Sequence, residues 1–561
     1  MTVGPTGPAA AGPTGELCGR VDALCRVAAP HFPPGGPVAA ALAGVRLRLA
    51  EPGLRIAVGG RMNAGKSTLV NALLGRRLAA TGATECTTLV AWFRGGVQNR
   101  LEVRRTDGRR YHVPGRPGGG IPRDVTLLGS TREEIEEIVV ETAGGHGPGR
   151  PWTLVDTPGM DTLSGLDGVA LRALGAADAL LYVMPHPGAG DAEALESLRR
   201  QAHDRMTALN VVGVLSRIDE LGDGTGDPWP RARRVAATYT TRLTGLLSGV
   251  VPVAGLLAQT ALGEEFTETD AALLRRLATA PRDDLDRALY SPHEFLHWPD
   301  GPLDAPGRAR VLDLLGCYGI GAAVDAVPAL ADPGARALLA ALRAASGIDG
   351  LLDEVGRRFD AAADRLRAAA ALGLLDEAAR TALAGDAPDP AARRALDELR
   401  AGVAALRRHP LLRQTELAPA LADFAAGRLR LSEPDTACLL RLATGTTTAA
   451  CLGLPEPAPA PGTTASQSAH AARTAAEAAA RWRQLESGPS RILQRHARTA
   501  RELCEELYFR AAATPLIPVL TTGRGRGRRP SPPRDAGPAR GRSRRARSPT
   551  PRCSRFRRPT R

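Results

Sequence analysis

From residue 54 to about residue 255, short apolar runs alternate with stretches of helical periodicity. That alternation predicts an α/β fold, a mostly parallel sheet with helices on both faces. The runs are Leu54–Val58, Leu89–Phe93, Glu137–Glu141, Trp152–Val155, Ala179–Met184, Asn210–Leu215 and Gly249–Ala254. Arg100–Val113 reads as a hairpin turning at Thr106-Asp107-Gly108. Upstream, Glu16–Ala29 and Val38–Leu49 have amphipathic helical spacing on either side of a break at Pro30–Pro37, and residues 1–15, rich in Gly, Pro and Ala, predict disorder.

Past about residue 305 the strand signal fades into Ala/Leu/Arg/Glu-rich helix. Ile348, Leu352, Val355, Phe359, Ala362 and Leu366 follow a 4-3-4-3-4 spacing, which predicts a helical seam packed against another long helix. Asp389-Pro390 suits a helix start, with Leu396, Leu399, Val403 and Leu406 on one face. Further helices are expected over 413–429, 466–487 and 491–511, and Pro455–Pro461 is a stiff connector.

The chemistry sits at the strand ends. Gly60 to Thr68 (GRMNAGKST) fits G-x4-G-K-[ST] and lies between a strand and a helix, as that phosphate-binding loop requires. Backbone N–H groups of Gly60, Asn63, Ala64, Gly65 and Thr68 would wrap nucleotide phosphates, and the Lys66 ammonium would reach the β- and γ-phosphates. Ser67 Oγ would ligate Mg²⁺. Trp152–Val155 runs into Asp156-Thr157-Pro158-Gly159, where a carboxylate can hold Mg²⁺ through water and the Gly159 N–H can sense the γ-phosphate. Ser216-Arg217-Ile218-Asp219 stands where guanine-reading proteins carry [NT]KxD. Asp219 can accept two hydrogen bonds from the guanine edge, which adenine does not offer, and the Arg217 stem can lie on the base plane. Ser216 departs from Asn or Thr. In Glu85-Cys86-Thr87-Thr88, Thr87 is the candidate switch threonine for Mg²⁺, with Thr88 the alternative and a plain strand opening the bland reading. Lys66 and Thr87 are therefore the candidate catalytic residues, and Ser67, Thr87 and Asp156 the candidate metal ligands. Val253-Ala254-Gly255 offers a further N–H to the base.

Composition sharpens one of these assignments. Of 73 basic residues only Lys66 is lysine, so a compact ammonium survives at one place, the phosphate loop. The net charge of +14 is local: residues 521–561 carry fifteen Arg against Asp535 alone, and the rest of the chain is neutral. This tail predicts disorder, with three readings: contact with anionic lipid, contact with nucleic acid, or sequence without a role, as from a frameshifted end. Eight Cys without a CxxC pair argue against a zinc site and a disulfide framework, and ten His without HxH or HExxH argue against a histidine metal site. No run of 18 uncharged apolar residues predicts a membrane span, and the N-terminus lacks a basic signal-peptide start, so a cytoplasmic location is expected.

The run GRMNAGKSTLVNALLGRRLAATGATECTTLVAWFRGG, with DTPG, SRID and VVPVAGLLAQTA after it, resembles the bacterial dynamin-like GTPases. The ATECT element is similar to the actinobacterial branch that includes the mycobacterial isoniazid-inducible proteins. The likeness is detailed over 54–262 and looser to about residue 512, and it does not extend to the tail. It implies a GTPase domain over 51–300, a helical stalk over 301–512, and N-terminal helices at 16–50 packing back on that stalk, between disordered ends at 1–15 and 513–561. It also implies GTP and GDP as ligands, Mg²⁺ as cofactor, and self-association through the GTPase domains, a paralogous partner included. Membrane remodelling at the inner face of the cell membrane follows from the same resemblance, and the family residue matching Thr87 is the switch threonine. A GTPase switch in RNA handling and a regulatory nucleotide-binding scaffold are the alternatives. Eukaryotic dynamins carry Gln where this chain has Met62, and Ras-type enzymes carry Gln where it has Met160. Slow basal turnover is the expectation.

Overall fold

The computed structural model describes residues 15–512, apart from 82–88, 114–119, 123, 144–150, 160–167, 202–205, 207–208, 222–226, 244, 385–389, 426, 446 and 456–463. Thr87, Thr88, Met160 and the two predicted disordered ends, but for Gly15, lie outside the described residues.

Among the described residues nine strands form one sheet: β1 (Arg55–Gly60), β2 (Val90–Gly96), β3 (Arg100–Arg105), β4 (Arg110–Val113), β5 (Ile135–Ala143), β6 (Thr153–Asp156), β7 (Ala179–Met184), β8 (Val211–Leu215) and β9 (Val250–Pro252). Their order is β4-β3-β5-β2-β6-β1-β7-β8-β9. From β6 to β9 in that order successive strands pair parallel to one another, and β2 pairs parallel with β5. Antiparallel pairs are β2 with β6, and β3 with both β4 and β5. Each predicted strand is present within a few residues. β7 and β8 are buried throughout, which is why they read as unbroken apolar runs. The antiparallel side comes from the long insertion between Lys66 and Asp156.

The N-terminal helices Glu16–Ala28 and Pro37–Ala50 pack with Ala363–Ala384 and Pro390–Arg407 in one apolar cluster: Leu17, Val21, Leu42 and Leu49 meet Leu372, Leu375, Leu396 and Leu399. A second helical cluster gathers 417–507, closed by the antiparallel pair Thr464–Glu486 and Arg491–Ala512. It also contains Glu433–Thr444 and Thr448–Leu452, two helices too short for a strong periodic signal.

The 348–366 seam differs from expectation. The helix stops at Arg358, a 3₁₀ turn covers Asp360–Ala362, and a new helix starts at Ala363. Ile348, Leu352, Val355, Phe359, Ala362 and Leu366 all belong to the cluster containing Ile56, Val58, Leu154 and Leu181. The seam therefore covers the sheet. Its spacing defines an apolar stripe but not what lies opposite.

One helical run among the described residues, Ala305–Ala329, has the length and hydropathy to cross a membrane, a feature the search for 18 uncharged residues does not register. Gly316 breaks it at φ 65, and Val311, Leu314, Ile320 and Ala323 pack with Leu215, Leu257 and Leu274. One face of it therefore packs in the core of this fold.

The joint between sheet and helices is polar and buried. Arg48, at the end of Pro37–Ala50, pairs with Asp178, whose other oxygen accepts the Arg55 N–H at 2.8 Å. Arg367 donates to the carbonyls of Leu49 and Glu51 at 2.8 and 2.6 Å, and Trp152 Nε1 donates to Asp360 at 2.7 Å.

Candidate nucleotide site

β1 delivers the chain to Gly60, whose φ of +142 and approach to β7 leave no room for a side chain: a Cβ there would lie 2.3 Å from the Val183 carbonyl oxygen. The loop then turns through Asn63 at φ 56 and Gly65 at φ 90 into the helix Lys66–Leu74. Helix N-terminal N–H groups and the buried Lys66 consequently face one open pocket. Met62 to Thr68, Thr81, Gly159 and Arg217 line it. Lys66 Nζ donates to the Arg61 carbonyl at 2.9 Å.

β6 pairs with β1 in register, Asp156 opposite Val58, so the aspartate arrives beside the loop. Ser67 Oγ donates to Asp156 Oδ2 at 2.7 Å. Asp156 Oδ1 is buried without a hydrogen-bond partner among the described residues. Burial pushes the carboxyl's pKa up to about 6, against the Ser67 hydrogen bond and the Lys66 charge. A hydroxyl and a buried carboxylate oxygen with a free lone pair are hard oxygen donors of the kind Mg²⁺ takes, and they fit that ion. Thr157 Oγ1 ties the strand end to Val58 O at 2.9 Å. At Gly159 a Cβ would come within 2.8 Å of Met62 Cα, so the two loops touch through backbone alone.

β8 brings the third element. Ser216 N donates to Met184 O at 3.0 Å, and its buried Oγ donates to Ala64 O at 2.7 Å. Arg217, at φ 49, donates to Asn63 O at 2.8 Å and to Glu220 Oε1 at 2.7 Å. The two non-glycine residues at positive φ among those described are thus bonded to one another across the site. Ser216, which sequence comparison marks as a departure, holds the phosphate loop; the available signal was a short hydroxyl donor at that strand end. The Arg217 head group likewise meets the loop carbonyl, a partner that spacing alone does not reveal. Asp219 follows on the turn Ile218–Leu221 with its side chain exposed to solvent. Gly255 stands beside the loop helix, a Cβ there being 3.7 Å from Thr68 Cγ2, so Val253-Ala254-Gly255 borders the same region. Thr87 is the one predicted site residue outside the described residues.

Sheet order, phosphate loop and flanking motifs define a P-loop nucleotide-binding domain of the GTPase type. The Dynamin family model matches residues 56–218. Over 474 residues, 82% of this chain and 90% of the relative, the sequence is 35% identical to the Isoniazid-induced protein IniC of Mycobacterium tuberculosis, in strains CDC 1551 / Oshkosh and ATCC 25618 / H37Rv alike. The chain belongs to the dynamin family. Two solved chains align over 88% and 89% of it, and over 90% and 91% of their own lengths, at 13% identity and TM-scores of 0.29 and 0.30. They come from an oligomerised bacterial dynamin pair described as providing a mechanism for the long-range sensing and tethering of membranes.

Proposed function

We propose that this protein is a dynamin-like GTPase that binds GTP with Mg²⁺, hydrolyses it slowly, and uses the cycle to self-assemble and remodel membrane from the cytoplasmic side. The observation that carries the nucleotide reading is the part-buried Ser67–Asp156 pair with the buried second oxygen of Asp156, beside a loop that carries the chain's single lysine. Ser67 and Asp156 would hold Mg²⁺, with Thr87 as the switch ligand; the ion would supply charge neutralisation at the β- and γ-phosphates. Gly60, Asn63, Ala64, Gly65 and Thr68 would bind phosphate through backbone N–H groups, Gly159 would report the γ-phosphate, and Asp219 would select guanine. Ser216 and Arg217 would hold the loop in its binding shape.

Met62 is exposed at the loop and brings no group able to orient water. This supports slow basal turnover, faster once a second copy or a paralogue docks. We also extend the proposed GTPase domain beyond residue 300, to about residue 358, because Ile348–Val355 pack in the sheet core. Membrane action rests on family membership, and the arginine tail supports an anionic surface as its target.

The test is Lys66→Arg, the exchange this composition accepts everywhere else. Fluorescent-GTP binding should be lost, or turnover abolished, in a variant that still folds. Unchanged binding and turnover would remove the proposal's main support.

A further inference from the structure

Two stretches of opposite charge are built on one apolar cluster. Residues 228–263 hold four Arg and no acid. All four, Arg231, Arg233, Arg234 and Arg242, are exposed on the helix Trp229–Arg242, whose Ala232 and Ala236 are buried. Their spacing puts Arg231, Arg234 and Arg242 on one face. None of the four forms an ion pair among the described residues; Arg233 lies over the Trp229 ring at 5.7 Å and Arg242 over Tyr239 at 5.4 Å.

Residues 279–304 carry six Asp or Glu against Arg282 and Arg287, a net charge of −4 facing the +4 of the first stretch. They line a cavity of about 580 Å³ whose wall includes Trp298, His297, Asp284, Glu294 and Asp300, with Arg287 paired to Asp284. Glu294 and Asp300 are exposed and make no ion pair among the described residues. Leu285, Ala288 and Phe295, beneath the cavity, belong to the same apolar cluster as Ala232 and Ala236. One core therefore carries both faces, yet no ion pair joins them within the described chain.

We infer that the arginine face of Trp229–Arg242 docks on the Trp298 cavity of a second copy; this rests on the self-assembly reading above and names one contact that makes it. The cavity shares no residue with the nucleotide pocket. Guanidinium groups pair with carboxylates through two parallel hydrogen bonds, and the half-buried Trp298 indole offers a ring to a further guanidinium. A lipid or nucleic-acid polyanion would account for the arginines alone and leave the acidic cavity without a role, whereas a second copy accounts for both. Because the two faces are different residues, each copy uses one and offers the other.

The experiment is sedimentation of the full chain, without nucleotide and with a non-hydrolysable GTP analogue, at low and high salt. Arg231→Glu with Arg234→Glu should weaken association about tenfold at low salt, as should Glu294→Arg with Asp300→Arg, and high salt should weaken the wild type. An equimolar mixture of the two variants should restore association, since the reversed helix then meets the reversed cavity and the two unaltered faces also meet. GTP binding should be unchanged in both, which shows that they fold. A wild-type chain that stays monomeric under every condition would overturn the self-assembly reading and this inference together. Wild-type association with both variants unaffected, or a mixture that stays apart, would overturn this inference alone. An Arg231→Glu, Arg234→Glu variant that still self-associates but loses binding to phosphatidylglycerol vesicles or to RNA would assign the helix to a polyanion and likewise overturn it.

Discussion

Asp156 shows how one residue's environment would set a condition on the proposed activity. Its pKa is pushed from 3.8 to about 6 by burial, so between those values the folded protein holds a proton that the unfolded chain has released. Stability of the nucleotide-free protein therefore falls as pH rises through this window, the sign opposite to that of a salt-bridged aspartate. If Asp156 holds Mg²⁺ as proposed, the ion needs the ionised carboxylate. Its affinity should be flat above pH 6 and drop about tenfold per unit below, with proton release visible by calorimetry in buffers of different ionisation enthalpy. Asp156→Asn should abolish that dependence along with most Mg²⁺ affinity. Ser216 is the complementary case, a neutral hydrogen bond to Ala64 O. Ser216→Ala should weaken GTP binding by about 1 kcal/mol, roughly fivefold, without changing guanine preference. A change in the GTP to ATP ratio would show that Ser216 touches the base instead.

At the scale of elements, the contacts that matter join pieces distant in sequence. Gly159 and Met62 approach so closely that Gly159→Ala must push the two loops apart. We expect that variant to bind GDP nearly normally and to lose its preference for a GTP analogue, read from the two dissociation constants. The Arg48–Asp178 pair is the second such joint, both side chains nearly without solvent contact. Two Arg48 nitrogens lack partners among the described residues, so the pair as a whole is no great source of stability, yet removing one member leaves a buried charge. Asp178→Ala should cost about 3–5 kcal/mol, detected as faster amide exchange across Pro37–Ala50 and the start of β1. Exchange unchanged in that helix would mean its apolar face alone holds it.

For the whole molecule, the N-terminal helices share one cluster with the helices Ala363–Ala384 and Pro390–Arg407. Leu17, Val21, Leu42 and Leu49 cover Leu372, Leu375, Leu396 and Leu399, so deleting residues 16–50 should leave an apolar stripe that aggregates, while the sheet keeps its own core. Light scattering of the shortened protein measures this. If assembly completes the catalytic site, GTP turnover per molecule should rise with protein concentration and with anionic vesicles. Fast turnover independent of concentration would exclude that coupling.

Every described strand, and the placing of the three motifs at strand ends, were legible because each rests on local rules. Buried parallel strands are continuous apolar runs, a phosphate loop needs Gly and a Lys at set spacing, and a strand end sets where Asp156 must stand. Lysine usage added a signal that no spacing contains. What the chain alone left open was every choice of partner. The 348–366 stripe is equally apolar whether it faces a helix or, as here, the sheet. Helix-like hydropathy over Ala305–Ala329 does not show that Gly316 breaks it inside a core. The bonds from Ser216 to Ala64 and from Arg217 to Asn63 join residues some 150 positions apart, and only folding brings them together. Periodicity records which face of an element is apolar, whereas tertiary structure decides what that face meets.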